Sequence, residues 1–123
     1  MSTDLRYSKD HEWVRIDGDG NAVIGVTEFA AGQLGDVVYV DLPEVGAALT
    51  ANAEMGEIES TKSVSDLYSP VDGTVTEINQ AVVDEPELVN SSPFGDGWLL
   101  RASVDSLPED LLTPEQYAVI TQE

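Results

Sequence analysis

Strand signals dominate the apolar pattern of this chain. Glu12-Trp-Val-Arg-Ile16 alternates in part and runs into Asp17-Gly-Asp-Gly-Asn21, a dense turn signal, after which Ala22-Val-Ile-Gly-Val26 returns as a hairpin partner. Thr27 is placed to cap a short helix over 28–34, which Gly35 ends. Val37-Val-Tyr-Val-Asp41 predicts another strand, closed by Leu42-Pro-Glu-Val-Gly46. Residues 55–60 and 64–69 read as a second hairpin, Pro70-Val-Asp-Gly73 as a turn, 74–78 as a strand and 97–104 as a last long strand. In the tail, Ser106-Leu-Pro-Glu109 and Thr113-Pro-Glu-Gln116 both have capping-box spacing, the second with proline at the first helical position. The spacing predicts a terminal helix from 114 to about 121, laying Tyr117 and Ile120 against a β-sandwich.

A weak repeat refines this picture. Gly35, Val37, Val40 and Val45 match Gly73, Val75, Ile78 and Val83 at an offset of 38 residues. Two halves related by a pseudo-two-fold would meet near the 55–69 hairpin, whose tip carries Lys62. That side chain is one of two lysines in 123 residues that hold 24 acidic groups. Ser, Thr and Asp crowd the tip and suit its turn backbone, while lysine offers a flexible stem and a modifiable amine. On these residues alone the ordinary explanation is a lysine that keeps the surface soluble and deters edge pairing.

Composition narrows the function classes. A chain of 123 residues with 41% hydrophobic content can bury roughly two thirds of its unfolded surface, so a single domain over 1–123 is expected. There is no cysteine and one histidine, which removes disulfides, thiolate chemistry and a closed zinc site. A net charge of −19 opposes nucleic-acid binding and favours partners with basic surfaces, and a monomer is expected from a small domain so charged. With no apolar span and no targeting signal at Met1-Ser-Thr-Asp-Leu-Arg6, a cytoplasmic protein is expected, with no membrane association. Asp17, Asp19, Asn21 and Glu28 imitate a calcium loop, but Ala22 stands where the sharp turn needs glycine, so a hairpin turn explains them. His11-Glu12 lacks the second histidine of a zinc protease, and no nucleotide or nucleophile motif is present.

Seven sequence blocks carry the reading further. His11-Glu-Trp-Val14, Ile24-Gly-Val-Thr27, Leu34-Gly-Asp36, Leu42-Pro-Glu-Val-Gly46, Glu59-Ser-x-Lys62-x-x-Ser-Asp66, Ser69-Pro-x-x-Gly73, and Leu88-Val-Asn-x-Ser-Pro93 with Asp96-Gly-Trp98 occur in order. Each alone is weak; the ordered set closely resembles the H protein of the glycine cleavage system, from about Leu5 to Tyr117. The resemblance implies an all-β, lipoyl-type barrel-sandwich hybrid of two antiparallel sheets with a C-terminal helix, and a carrier rather than an enzyme. It implies lipoate on Lys62 as an amide. The partners it implies are glycine decarboxylase (P protein), an aminomethyltransferase (T protein), dihydrolipoamide dehydrogenase (L protein) and a lipoate ligase or lipoyl-transfer enzyme.

The loaded arm poses a chemical problem of its own. An aminomethyl group on sulfur is an N,S-acetal that water breaks down to formaldehyde and ammonia. A partly dry cleft with carboxylates would hold its cationic amine and exclude water. The positions matching the family's cleft are Glu12 and Asp66, whose ordinary explanations are a solvated strand residue and a hairpin-stabilising side chain.

Thr61, Ser63 and Val64 depart from the small residues usual beside the lysine, which affects fine contacts of the arm. A biotin carrier would set methionine on both sides of Lys62, where Thr61 and Ser63 stand. A 2-oxoacid dehydrogenase carrier would lack the His-Glu-Trp-Val and Asp-Gly-Trp blocks. The alternative of another class is an unmodified acidic binding module.

Overall fold

A computed structural model describes residues 6–8, 11–16, 21–51, 53–93, 95–104 and 111–121. Among the described residues, nine strands and four helices follow in order: β1 (Arg6–Tyr7), β2 (Glu12–Ile16), β3 (Asn21–Val26), α1 (Glu28–Leu34), β4 (Val37–Asp41), β5 (Ala48–Leu49), β6 (Glu54–Ser60), β7 (Val64–Tyr68), β8 (Gly73–Ile78), α2 (Gln80–Asp84), α3 (Leu88–Ser91), β9 (Leu100–Ser103) and α4 (Pro114–Thr121). They build two antiparallel sheets, one of order β1-β2-β3-β9-β8-β5 and one of order β4-β6-β7. The expected all-β sandwich with a helix over 28–34 and a C-terminal helix is therefore what forms. No helix among the described residues is long and apolar enough to cross a membrane.

Alternation fixes which faces meet. Val14, Ile24 and Leu100 of the large sheet and Ile58 and Leu67 of the small one are buried in one continuous core. Each such side chain contributes about 1.5–3 kcal/mol by leaving water. Trp13 faces the other way. Its cross-strand partner is Gly25, where an added Cβ would lie 2.6 Å from the indole ring. The indole N–H donates to Pro93 O at 3.0 Å, fastening the segment after α3 to the large sheet.

Two asparagines do similar work. Asn79 caps α2 and donates to the carbonyls of Asp96 and Trp98 at 2.8 and 2.7 Å. Asn90 accepts from Val37 N at 2.8 Å and donates to Gly35 O at 2.7 Å, clamping the corner between α1 and β4.

Differences from expectation are local. The last strand is shorter than 97–104, because Gly97 N and Trp98 N instead bond Ser92 O and Gly95 O at 2.7 and 3.3 Å, closing a turn. β1, β5, α2 and α3 were not expected. Of the calcium-loop imitation, Asn21 opens β3 and Glu28 opens α1, while 17–20 lie outside the described residues. So do the capping box at 106–109 and the side chain of Ile120. The repeat puts β4 and β8 in different sheets, as a two-fold exchanging the sheets would.

Candidate functional site

The β6–β7 pairing ends at Glu59↔Val64, leaving residues 60–63 to turn the chain. Ser60 organises that turn. Its N–H donates to Ser63 O at 2.8 Å, and its hydroxyl accepts from Lys62 N and Ser63 N at 3.2 and 3.1 Å. Lys62 is exposed at the tip, as expected from the sequence. The tip also leans on the α1–β4 corner, where Thr61 N donates to Asp36 O at 3.0 Å.

Gly35 is the key to that contact. It ends α1 with φ +79° and ψ −155°, a conformation open essentially to glycine alone. A Cβ there would stand 2.9 Å from Cδ of Lys62, so the lysine stem lies across a backbone that has no side chain to push it off.

Beside this corner opens a cavity of about 440 Å³, lined among others by His11, Glu12, Phe29, Leu34, Asp66 and Leu67. Leu34, which lines it, is the chain neighbour of the Gly35 on which the lysine stem rests. The structure thus brings Glu12 and Asp66 to one cavity, but in different ways. Glu12 is only 2% exposed and belongs to the buried face of β2. Its Oε1 accepts from the Ser8 hydroxyl and its Oε2 from Tyr68 N, both at 3.1 Å, so the carboxylate bridges the two sheets. Asp66 sits between Ser65 and Leu67 on a strand, and alternation turns it to the outer face. There its carboxylate lies within 4.8 Å of those of Glu54 and Glu57, and Tyr68 Oη donates to it at 3.4 Å. Glu12 is the carboxylate on the inner side.

The sequence placed His11 in the His-Glu-Trp-Val block and excluded it from a zinc motif, but assigned it no role at the site. It closes a turn in which His11 N donates to Ser8 O at 3.1 Å, and it has φ +68°. Glycine is the usual residue at such a left-handed position, and another L-residue there costs about 1 kcal/mol. The imidazole Nδ1 shares a 2.9 Å hydrogen bond with the Tyr117 hydroxyl, which shares a second, 2.6 Å, with Thr27 Oγ1. Tyr7 stacks on Tyr117 at 4.3 Å, and Phe29 lies 4.8 Å from the imidazole. Burial raises the pKa of both Tyr117 and Tyr7 above the usual tyrosine value.

The family model for the glycine cleavage H-protein matches residues 5–123. A glycine cleavage system H protein of Thermobifida fusca is 57% identical over 122 residues, spanning 99% of this chain and 96% of its own. One from Streptomyces avermitilis is 60% identical over 113 residues, covering 92% and 90%. The crystal structure of a glycine cleavage system H protein from Mycobacterium marinum superposes with a TM-score of 0.89 at 42% identity, covering 98% of each chain. Matched in sequence and in architecture over nearly its whole length, the chain belongs to the glycine cleavage H-protein family.

Proposed function

We propose that Lys62 is the residue through which this chain carries lipoate, in a single lipoyl-binding domain spanning 1–123 that works as a cytoplasmic monomer. As a member of its family the chain is a lipoyl-bearing carrier of the glycine cleavage system and not an enzyme; it acts with the other components of that system. When attached, lipoate supplies a dithiolane on a long flexible arm, which takes the aminomethyl group from glycine decarboxylase to the folate-dependent aminomethyltransferase and is reoxidised by dihydrolipoamide dehydrogenase.

The observation that carries the proposal is the exposed Lys62 at a hairpin tip, its stem bedded on Gly35, next in the chain to the cavity-lining Leu34. The residues present fit the group. A solvated amine is open to acylation, and the apolar walls of Phe29, Leu34 and Leu67 suit a hydrocarbon arm. Glu12 supplies an inner carboxylate for the cationic end of a loaded arm. Asp66 lines the same cavity from β7, its carboxylate beside those of Glu54 and Glu57, and is a second carboxylate for that end. The hard chemistry belongs to the partner enzymes and their cofactors, and the tether raises the local concentration of cargo at each of them.

Intact mass after incubation with a lipoate ligase, ATP and lipoate tests the assignment. Addition of one lipoyl group, lost in Lys62→Arg and kept in Lys9→Arg, is the expected result. Addition to Lys9 instead, or no addition, overturns the assignment of Lys62, and no addition favours an unmodified acidic module.

A further inference from the structure

The left-handed backbone of His11 is a cost without an obvious local return, since glycine would close the same turn unstrained. What the sequence obtains by placing histidine there is a ring in the cavity wall, immediately before Glu12. Three contacts fix that ring. Tyr117 holds Nδ1 at 2.9 Å, Phe29 packs at 4.8 Å, and the Tyr117 ring meets it edge-on with centroids 5.6 Å apart. Tyr117 is itself held by Thr27, the cap of α1, and by the stacked Tyr7. The cavity wall next to Glu12 is therefore pinned from two sides, by Phe29 of α1 and by Tyr117 of the C-terminal helix.

We propose that His11 is a positioning residue for the cavity's occupant. Its imidazole holds the cationic end of the loaded arm against the Glu12 carboxylate and keeps water from it, with Tyr117 setting the ring's orientation. The inference rests on the carrier assignment of Lys62. Through Tyr117 it also gives α4 a function at the cavity besides covering the sheet edge.

The chain's single histidine makes the test direct, because its imidazole resonances in NMR belong to His11 alone. The unsubstituted chain, His11→Gly and Tyr117→Phe are each lipoylated, checked by intact mass, loaded with the aminomethyl group, and followed for formaldehyde release. His11→Gly removes the ring while relieving the backbone, and is expected to release formaldehyde about fivefold faster, the factor that one ordinary hydrogen bond is worth. Tyr117→Phe is expected to move in the same direction by less. In the unsubstituted chain the imidazole resonances are expected to shift on loading, and Tyr117→Phe to reduce that shift. Lipoylated His11→Gly that keeps its load as long as the unsubstituted chain, or imidazole resonances that ignore loading, overturns the inference alone. Failure of the unsubstituted chain to take lipoate at Lys62 overturns the carrier assignment, and the inference with it.

Discussion

Glu12 gives one carboxylate oxygen to the Ser8 hydroxyl and the other to Tyr68 N–H, so it ties the β1–β2 turn to the small sheet from inside the cavity wall. Glu12→Gln keeps the shape and one acceptor but turns an amide toward one of those donors. The expected cost in stability is about 1 kcal/mol, together with intact lipoylation and a shorter-lived loaded arm. Formaldehyde release at the original rate would count against Glu12 as the carboxylate that holds the cargo. Gly35→Ala meets two objections at once, a positive φ and Cδ of Lys62 at 2.9 Å. A loss of about 1–2 kcal/mol is expected in denaturant titration, with slower lipoylation because the displaced stem presents the amine differently. Normal modification kinetics in a destabilised Gly35→Ala chain would reduce that glycine to a helix cap. At this scale the sequence made Lys62 and Glu12 visible through their neighbours in ordered blocks. It did not disclose the outward turn of Asp66, which follows from register against Glu57, nor the left-handed His11, whose conformation depends on a turn between two short strands.

The C-terminal helix was legible as an element, because Thr113-Pro-Glu-Gln116 both starts and caps it: Gln116 N donates to Thr113 Oγ1 and Thr113 N to Gln116 Oε1. What α4 is for was not legible, since Tyr117 finds Tyr7, His11 and Thr27 only after folding. Burial raises the Tyr117 pKa, against the lowering effect of the Thr27 hydrogen bond, and nearby Tyr7 raises it further; Tyr7 is raised by burial as well. The folded chain thus keeps protons that the unfolded chain releases near pH 10. Their stabilising contribution is complete below about pH 10 and is lost as pH climbs through the raised folded values. Thermal melts are expected to fall above about pH 10, and Tyr117→Phe to weaken that dependence; identical alkaline profiles would exclude this docking as the cause. The elements that sequence reasoning missed are the short ones. β1 and β5 have two residues each, too few to show a period. α2 and α3 span five and four residues in an apolar run interrupted by Asp84, Glu85 and Pro86, and the Asn79 cap is recognisable only by its bond to Ala81 N.

Over the whole molecule, 24 acidic against five basic side chains leave a charge of −19, and the carboxylates of Glu54, Glu57 and Asp66 gather on the outer face of the small sheet. Self-repulsion of this kind weakens the folded state and is relieved by screening. Going from about 0.01 M to about 1 M salt shortens the screening length from about 30 Å to about 3 Å. Melting temperature is expected to rise over that range while encounter with a basic partner slows; a melting temperature that falls with salt would show that attractive pairs, not repulsion, dominate the surface. Charge gave this property away in the sequence, whereas the clamp of Asn90 on the α1–β4 corner, and through Asp36 on the lysine tip, needed coordinates. Laying the lysine stem over Gly35 has a geometric consequence. A tether hung from a bare tip sweeps nearly a full sphere, but one whose first carbons rest on a corner sweeps roughly half of it. Halving the volume that the far end explores about doubles its effective concentration within what remains, with no added attraction.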